Sequence, residues 1–314
     1  MNKNILVALG GNAILKHKDK GTAEEQIRNV RETAKHLVKL IQKGYHIAIT
    51  HGNGPQVGDI LLKNELAKSS LPQMPLDICN AESQGMIGYM LQQSLTTELA
   101  LAAIKKPVVT ILTQTVVDKE DSAFEKPSKP IGPFYTALEA SQLRKEKGWT
   151  IINDSGRGFR RVVPSPIPHE IIEGPSIKYL YDQGVIVIAS GGGGVPIIRK
   201  KDGQIEGVEG VIDKDHAAAL LATLIKAETL VILTDVPRAY LHYGRPDQTA
   251  LSKIPVSDAK RYLAQGHFAP GSMQPKIEAT IDFIEAGGKQ AIITSIENVE
   301  ISLHGKEGTI IYPD

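Results

Sequence analysis

A short segment from Gly271 to Lys276 contains the residues most suggestive of chemistry. The glycine opens a turn, a helix is predicted to follow, and the lysine lies one turn inside that helix. Ile277, Ile281 and Ile284 recur at helical spacing and predict that one face of this helix is buried. The first turn of a helix offers free backbone N–H groups and the positive end of the helix dipole to an anion. Lys276 is therefore a candidate ligand for a phosphate group.

Two glycine turns have a composition that suits the same ligand. Gly10, Gly11 and Asn12 directly follow an apolar strand, and residues without a side chain let backbone N–H groups approach an anion closely. A second turn follows another predicted strand and suits a small anion, and it consists of Gly52, Asn53 and Gly54.

Lys214 lies between two acidic residues, Asp213 and Asp215, at the predicted start of an alanine-rich helix. The flanking carboxylates can hold its ammonium group in one orientation and leave other N–H donors for phosphate. A solvated cluster of surface charges would give the same pattern and stays the alternative. Asp235 ends another predicted strand, where it either accepts hydrogen bonds from a ribose or caps the turn. Glycine turns and lysines together point to phosphoryl transfer.

Several common kinds of site are missing from the sequence. No Gly-x-x-x-x-Gly-Lys-Ser/Thr segment occurs, and no Gly-x-Gly-x-x-Gly motif opens the first helix, which argues against a P-loop and against dinucleotide binding. The nine histidines show no metal-ligand spacing with the single cysteine, so no zinc site is expected. We interpret His51 as a hydrogen-bonded structural residue and Cys79 as a small buried one.

Composition and charge narrow the class of protein. The chain has 314 residues, 41% of them hydrophobic, which is enough for a sizeable core in one large domain or two lobes. The 36 basic and 35 acidic residues give a net charge of +1, so no nucleic-acid or anionic-membrane partner is expected. The single cysteine suits a reducing compartment, and neither a signal-peptide core nor a membrane-spanning stretch is evident. We therefore expect a cytoplasmic protein.

The elements that must position these residues alternate as strand and helix. Residues 4–9 form an apolar run typical of a strand covered on both faces. Thr22 and Glu25 predict a capping box at the start of the first helix, and Gly44 predicts its end. Further strands are predicted at 45–50, 108–113, 184–190, 229–234, 290–294 and 309–312, a hairpin at 202–203, and helices at 81–103, 137–147, 215–227 and 257–265. This alternation predicts an α/β fold with a parallel sheet.

The stretch from about residue 118 to 168 breaks this alternation. It contains six prolines, a glycine-arginine string at 155–161 and one helical segment. A long irregular excursion inside a compact α/β chain is usually functional or disordered, and Phe134, Trp149 and Phe159 favour order. We interpret this insertion as a lid or protruding subdomain in preference to a passive loop.

Taken together, these motifs resemble those of the amino-acid kinase superfamily and, within it, the carbamate kinase family. The resemblance runs from one end of the chain to the other. Its motifs are Gly-Gly-Asn-Ala at 10–13, His-Gly-Asn-Gly-Pro-Gln-Val-Gly at 51–58, Ser-Gln-Gly-Met-Ile-Gly-Tyr at 83–89, Lys-Pro-Ile-Gly-Pro-Phe-Tyr at 129–135, Asp-Ser-Gly-Arg-Gly at 154–158, Arg-Arg-Val-Val-Pro-Ser-Pro at 160–166, Ala-Ser-Gly-Gly-Gly-Gly-Val-Pro at 189–196, Val-Ile-Asp-Lys-Asp at 211–215 and Gly-Ser-Met-x-Pro-Lys at 271–276.

The resemblance implies a three-layer α/β/α sandwich around a mostly parallel eight-stranded sheet. It implies a single domain over 1–314, with a lid subdomain inserted at about 118–168, a carbamate and carbamoyl phosphate lobe over about 1–200 and a nucleotide lobe over about 201–314. It also implies a homodimer, a place in arginine metabolism, and reversible phosphoryl transfer from ATP to carbamate, giving ADP and carbamoyl phosphate. Mg²⁺ would be held mainly by the nucleotide phosphates, with no dedicated protein ligands.

The same resemblance assigns roles to individual residues. The catalytic lysines would be Lys129, Lys214 and Lys276, with Asp215 as the carboxylate that orients them. The transferring phosphoryl group would meet Gly10, Gly11 and Asn12, and carbamate would meet Gly52, Asn53 and Gly54. The nucleotide would contact Asp213, Asp235, Tyr243 and Met273. Pro237 and Arg238 depart from the family pattern, in which a small residue is expected after Asp235, and they leave details of nucleotide recognition open.

Two alternative functions stay open at the level of the sequence. Another acyl-phosphate kinase of the superfamily, such as an acetylglutamate kinase, would need room and a cation for a longer amino acid. A catalytically silent nucleotide or metabolite sensor on the same fold is the alternative outside enzymology. The three candidate lysines disfavour the sensor.

Overall fold

The structure is a computed structural model that describes residues 3–16, 18–153 and 158–314. Its strands are, in chain order, β1 (Asn4–Leu9), β2 (His46–His51), β3 (Val108–Thr110), β4 (Gln114–Val117), β5 (Lys129–Tyr135), β6 (Ile151–Asn153), β7 (Phe159–Val163), β8 (Pro168–Ile171), β9 (Ile186–Ile188), β10 (Val195–Arg199), β11 (Ile205–Gly207), β12 (Thr229–Leu233), β13 (Tyr240–Leu241), β14 (Thr249–Ala250), β15 (Lys253–Pro255), β16 (Gln290–Thr294) and β17 (Thr309–Tyr312). The α-helices are α1 (Ala23–Gln42), α2 (Gly54–Ala67), α3 (Leu76–Leu101), α4 (Ala137–Lys147), α5 (Gly174–Asp182), α6 (Lys214–Leu224), α7 (Val256–Ala264), α8 (Met273–Glu285) and α9 (Val299–Leu303). Short 3-10 helices lie at Gly11–Ala13, Ser122–Phe124 and Gly191–Gly193.

Eight strands form the central sheet, in the order β15-β17-β16-β12-β1-β2-β9-β3. The strands from β16 to β3 in this order pair in parallel. Strand β17 runs antiparallel to β16, and β15 pairs in parallel with β17, so these two edge strands run opposite to the rest. The predicted mostly parallel, eight-stranded sheet is confirmed.

Helices cover both faces of this sheet, because alternate side chains of the buried strands point to opposite sides. On β1, Ile5, Val7 and Leu9 pack into one core cluster with residues of α1 and α3. Leu6 and Ala8 pack into the other cluster, with residues of α5, α6, α7 and α8. The result is the predicted three-layer sandwich.

Local sequence signals place several elements correctly. Thr22 and Glu25 form both hydrogen bonds of the capping box at the start of α1, and Gly44 follows the helix with a φ of +82°. The helix predicted at 137–147 corresponds to α4. The predicted hairpin is formed by β10 and β11, which pair antiparallel around Asp202 and Gly203.

The strand predicted at 108–113 is wrong in its extent. In the structure only Val108–Thr110 of this segment forms a strand, β3, at the edge of the central sheet, and β4, which begins after the segment at Gln114, belongs to a separate four-stranded sheet of order β11-β10-β4-β8. The side chain of Gln84 on α3 bonds both the backbone N–H and the carbonyl oxygen of Thr113, at 3.0 Å each. The Thr113 carbonyl also accepts from the backbone N–H of Val195 at 2.9 Å, so the backbone groups of Thr113 are paired outside the central sheet.

The insertion is an ordered unit within the described residues. Strands β5, β7 and β6 form an antiparallel three-stranded sheet, and α4 lies beside it. Strand β5 packs directly on α2, where Gly58 and Gly132 approach so closely that a Cβ on Gly58 would lie 2.0 Å from the Gly132 backbone. Of the motif predicted at 154–158, residues 154–157 lie outside the described residues.

Across 3–16, 18–153 and 158–314, no helix is both long and apolar enough to span a lipid bilayer.

Candidate active site

The amino end of α6 carries the first part of the site. Asp213 is the N-cap of this helix, and its Oδ1 accepts a hydrogen bond of 2.9 Å from the backbone N–H of Asp215. Lys214 and Asp215 are the first two helical residues. Capping by a carboxylate satisfies a backbone N–H that the helix leaves unpaired, and it fixes where the helix begins.

Asp215 is buried between two lysines. Its Oδ1 accepts a hydrogen bond from Nζ of Lys214, and its Oδ2 lies 3.1 Å from Nζ of Lys276. The exposed fraction of the Asp215 side chain is 3%, against 12% for Lys214 and 13% for Lys276. Nζ of Lys276 also donates to the carbonyl oxygen of Ser272, at 3.0 Å, across the first turn of α8. One carboxylate therefore fixes the ammonium groups of two different helices.

The insertion contributes the third lysine. Lys129, the first residue of β5, donates from Nζ to Oδ2 of Asp213 at 2.5 Å. The sequence predicted that Asp213 and Asp215 would both hold Lys214, and this is wrong for Asp213. Its carboxylate bonds Lys129, which is distant in sequence, because the insertion folds back over the start of α6.

The charges in this cluster shift one another's pKa values. Burial raises the pKa of Asp215, but the ammonium groups of Lys214 and Lys276 outweigh it and hold that pKa below its ordinary value. Burial lowers the pKa of Lys214, in spite of Asp215. Burial also opposes charge on Lys276, yet the carboxylates of Asp215 and Asp213 raise its pKa. Three ammonium groups thus share two carboxylates, which leaves a net positive charge for an anionic ligand.

The glycine turn after β1 lies at the same edge of the sheet. A Cβ on Gly10 would lie 2.6 Å from the carbonyl oxygen of Leu233, so only glycine fits beside β12. Two side chains of α1 bond the backbone just after this turn. Asn29 donates to the carbonyl oxygen of Ile14 at 3.2 Å, and Thr33 donates to that of Ala13 at 3.1 Å. The sequence did not identify these two supports.

Gly11 and Asn12 are exposed at the tip of this turn. A cavity of about 440 Å³ opens next to it, lined among others by Gly10, Asn12 and Asp235. None of the three clustered lysines lines this cavity, which extends along the α1 side of the turn.

The turn after β2 adjoins the lysine cluster. A Cβ on Gly52 would lie 3.2 Å from Cδ of Lys214, so the absence of a side chain makes room for the lysine stem. Asn53 is buried, and its amide donates to Oδ1 of Asn80 at 3.2 Å and to Oγ of Ser83 at 2.8 Å. Gly54 begins α2. The amide donors of Asn53 are therefore used within the protein, and the turn faces the cluster mainly with backbone.

His51 and Cys79 have the structural environments predicted for them. His51 is buried and its Nδ1 lies 2.9 Å from the carbonyl oxygen of Gly52, which identifies Nδ1–H as the donor. Burial lowers the pKa of His51 to about 4. Cys79 is buried, and burial raises the pKa of its thiol to about 11, which makes it a poor nucleophile at neutral pH.

Sequence reasoning missed the backbone strain after β9. Ser190 is fully buried and has a φ of +52°, which is unusual for a residue other than glycine. Its Oγ has no hydrogen-bond partner, a condition found at no other buried side-chain N or O atom in the part of the chain that the structure describes. A Cβ on Gly191 or Gly192 would lie less than 3 Å from His51 or Asn53. The four-glycine turn is thus packed tightly against the turn after β2.

The four residues assigned to the nucleotide have different surroundings. Asp235 lies near enough to Lys276 to favour its charged form. Met273 opens α8 and packs on the core, whereas Tyr243 is 66% exposed beyond β13 and contacts Tyr240, with ring centroids 5.7 Å apart. Asp213 faces Lys129.

Arg238, which departs from the family pattern, has a structural role in this chain. Its guanidinium group bonds Glu307 at 3.0 Å and Ser252 at 2.7 Å.

The described residues contain no group of three or more histidine, cysteine or carboxylate side chains suited to a metal ion. Asp213 and Asp215, the acidic residues nearest the lysines, are both paired with ammonium groups. The arrangement therefore suits the binding and alignment of phosphate groups.

Comparison with known proteins gives consistent results over the whole chain. A model of the amino acid kinase family matches residues 3–295. A carbamate kinase of Thermococcus kodakarensis is 52% identical over 98% of each chain. Among solved structures, the carbamate kinase from Giardia lamblia bound to citric acid superposes with a TM-score of 0.95 at 44% identity, covering 99% of each chain. The same enzyme bound to AMP-PNP gives a TM-score of 0.91 at 45% identity, again with 99% of each chain covered.

Proposed function

Because the chain belongs to the amino acid kinase family, we propose that it is a carbamate kinase, which transfers a phosphoryl group reversibly between ATP and carbamate. The observation that carries this proposal is the cluster of Lys129, Lys214 and Lys276 around Asp213 and Asp215. The relatives that share this chain's full length and about half of its residues are named carbamate kinases.

The chemistry of carbamate explains why the site needs cations more than a base. Carbamate is already an oxyanion, so its attack on the γ-phosphorus of ATP requires no proton abstraction. The difficulty is to bring one anion against a polyanion and to stabilise the charge that develops in transfer. Lysine ammonium groups and backbone N–H groups supply that stabilisation. His51 is therefore not required as a general base.

Each member of the cluster has a distinct part in this mechanism. Lys214 and Lys276 bind the phosphoryl oxygens, with Asp215 holding both ammonium groups in place. Lys129 reaches the same phosphoryl group from the insertion. The turn at Gly10, Gly11 and Asn12 donates N–H groups to the transferring phosphate, and the turn at Gly52, Asn53 and Gly54 receives carbamate.

The nucleotide lies over residues 201–314, beside Asp235, Tyr243 and Met273. Mg²⁺ would be held by the nucleotide phosphates, where it would supply charge neutralisation for the transfer. We assign the ion to the phosphates because the neighbouring carboxylates are engaged by lysines. The AMP-PNP complex of the Giardia lamblia relative supports a nucleotide site on this fold.

The larger organisation follows from the same proposal. Residues 1–314 form one domain, residues 1–200 its carbamate lobe, and residues 118–168 a lid that brings Lys129 to the site. We further propose a cytoplasmic homodimer that acts in arginine metabolism. Its mass in solution, measured by light scattering, tests the dimer directly.

The decisive experiment is ATP formation from ADP and carbamoyl phosphate, with Mg²⁺ present. Acetyl phosphate and N-acetylglutamyl phosphate serve as rival donors in parallel assays. We expect carbamoyl phosphate to give the highest kcat/KM. Preference for N-acetylglutamyl phosphate would reassign the chain to a different acyl-phosphate kinase, and ADP binding without turnover on any donor would make it a sensor.

A further inference from the structure

We infer that Asp213 is a positioning residue, which holds Lys129 of the insertion against the start of α6, and that it is not a ligand of the nucleotide. This inference rests on the proposed function, because it concerns the lysine that the insertion brings to the phosphoryl group. It changes the role that the sequence suggested for Asp213.

The first support is that both carboxylate oxygens of Asp213 are engaged. Oδ2 accepts from Nζ of Lys129 at 2.5 Å, and Oδ1 accepts from the backbone N–H of Asp215 at 2.9 Å. The Asp213 side chain is 14% exposed. A carboxylate in this position has little surface left for a ribose, and it would repel a phosphate.

The second support is the charge balance of the cluster. Asp215 already forms ion pairs with both Lys214 and Lys276. Without Asp213, three ammonium groups would share a single carboxylate, and their repulsion would push the most mobile of them away. Lys129 is the least buried of the three, at 24% exposed against 12% and 13%, so it has the most room to move away.

The third support is that one side chain joins two structural units. The hydrogen bond from Lys129 to Asp213 links residues 84 positions apart, between the first residue of β5 and the N-cap of α6. The same carboxylate fixes the N–H of Asp215. One carboxylate therefore bonds both the lysine of the insertion and the start of the helix that carries Asp215.

Asp213→Asn is the informative variant. Asparagine caps helices about as well as aspartate, so the start of α6 is retained while the charge that holds Lys129 is removed. Asp121→Asn is the matched control, because Asp121 caps a 3-10 helix in the insertion and also accepts an N–H from the residue two positions on, at 2.8 Å. Asp121 is not part of the lysine cluster.

A double-mutant cycle with Lys129→Ala tests whether Asp213 acts through Lys129. We expect Asp213→Asn to lower kcat about tenfold or more, a size typical of coupled neighbours. In the Lys129→Ala background the same change should cost little, because the group that it positions is gone. The Kd for ADP, measured by calorimetry, should stay within about twofold of the wild-type value.

Two results would overturn the inference. A loss of ADP affinity as large as the loss of kcat would make Asp213 a nucleotide ligand, and additive losses in the cycle would show that it does not act through Lys129. Lysine modification followed by mass spectrometry gives a readout independent of turnover. Lys129 should be modified faster in Asp213→Asn than in the wild type or Asp121→Asn, and an unchanged rate would count against the inference.

The proposed function can fail separately. A wild-type protein that forms no ATP from ADP and carbamoyl phosphate would refute the carbamate kinase proposal. The rate of Lys129 modification would still decide whether Asp213 holds that lysine.

Discussion

Asp215 is the residue on which two of the three clustered ammonium groups depend. Nζ of Lys214 and Nζ of Lys276 bond its two oxygens, and its side chain is almost completely buried. A carboxylate in this place cannot bind phosphate itself, because like charges repel. Its contribution is to orient the lysines.

We predict that Asp215→Asn lowers kcat by a larger factor than it weakens ADP binding. The amide keeps the shape but not the charge, so the two ammonium groups lose their common anchor. Removing one partner of buried ion pairs also costs about 3 kcal/mol or more in the free energy of unfolding. Steady-state kinetics, ADP calorimetry and chemical denaturation on one preparation separate these effects. Asp213 is the residue that caps α6, so the change at Asp215 leaves the helix cap in place. Wild-type kcat in the variant would show that Asp215 does not orient the lysines.

Lys276 stands one turn inside α8, with Nζ within hydrogen-bonding distance of both Asp215 and the carbonyl of Ser272. We predict that Lys276→Ala lowers kcat by about 10²-fold or more, the loss expected when one preorganised electrostatic donor is removed. Lys289→Ala is the control, because Lys289 is 70% exposed and pairs with Glu228 away from the cluster. Near-normal turnover in a folded Lys276→Ala protein would remove the residue from the mechanism.

Among the elements, the contact between α2 and β5 determines where the insertion lies. Gly58 on α2 meets Gly132 on β5, and a methyl group on Gly58 would lie 2.0 Å from the backbone of Gly132. Strand β5 also begins with Lys129. A displacement of this strand therefore moves a lysine of the site.

We predict that Gly58→Ala lowers kcat while leaving ADP affinity nearly unchanged, because it shifts β5 and not the nucleotide lobe. The overpacked contact should also cost about 1–3 kcal/mol of stability. Gly85→Ala on α3 is the control, since a Cβ on Gly85 meets no atom within 4 Å. Unchanged turnover in Gly58→Ala would mean that the position of the insertion does not control the reaction.

Helices α6 and α8 are joined a second time, behind the lysines. His216 on α6 lies with Nε2 3.4 Å from Glu278 and Nδ1 3.5 Å from Asp282, both on α8. Burial disfavours the charged imidazole, but the neighbouring carboxylates outweigh it and raise the pKa of His216. The two helices that carry Lys214 and Lys276 are therefore held together on both sides of Asp215.

At the scale of the whole molecule, protonation of the buried His51 side chain is expected to lower the free energy of unfolding in acid. Its pKa is lowered to about 4 in the folded chain, chiefly by burial, against an ordinary value of 6.5. Between these two pH values the unfolded chain binds the proton and the folded chain does not. The stability that His51 contributes is therefore present above pH 6.5 and decreases as the pH falls towards 4.

We predict that this histidine accounts for a loss of about 3 kcal/mol in the free energy of unfolding between pH 6.5 and 4. His51→Asn keeps a donor for the carbonyl of Gly52 but cannot take up the proton. The variant should therefore lose less stability over this interval than the wild type. Denaturant titrations at a series of pH values measure the difference. Parallel pH profiles for the two proteins would contradict the assignment of the titration to His51.

Features that depend on neighbouring residues could be predicted from the sequence. The capping box of Thr22 and Glu25, the helix at 137–147 and the hairpin at Asp202 and Gly203 all arise from interactions within a few positions. The continuous apolar run of β1 likewise predicted burial on both faces. The three lysines were grouped only by resemblance to a family, because nothing in their spacing shows that they meet.

The pairing of groups that are distant in the chain depends on the tertiary packing. Asp213 pairs with Lys129 instead of Lys214, Gln84 bonds the backbone of Thr113, and Gly58 lies against Gly132. These contacts join positions far apart in the chain, and many partners of equal chemistry were available to each of them. The choice depends on how α6, α3 and the insertion pack around the sheet, which no local pattern specifies.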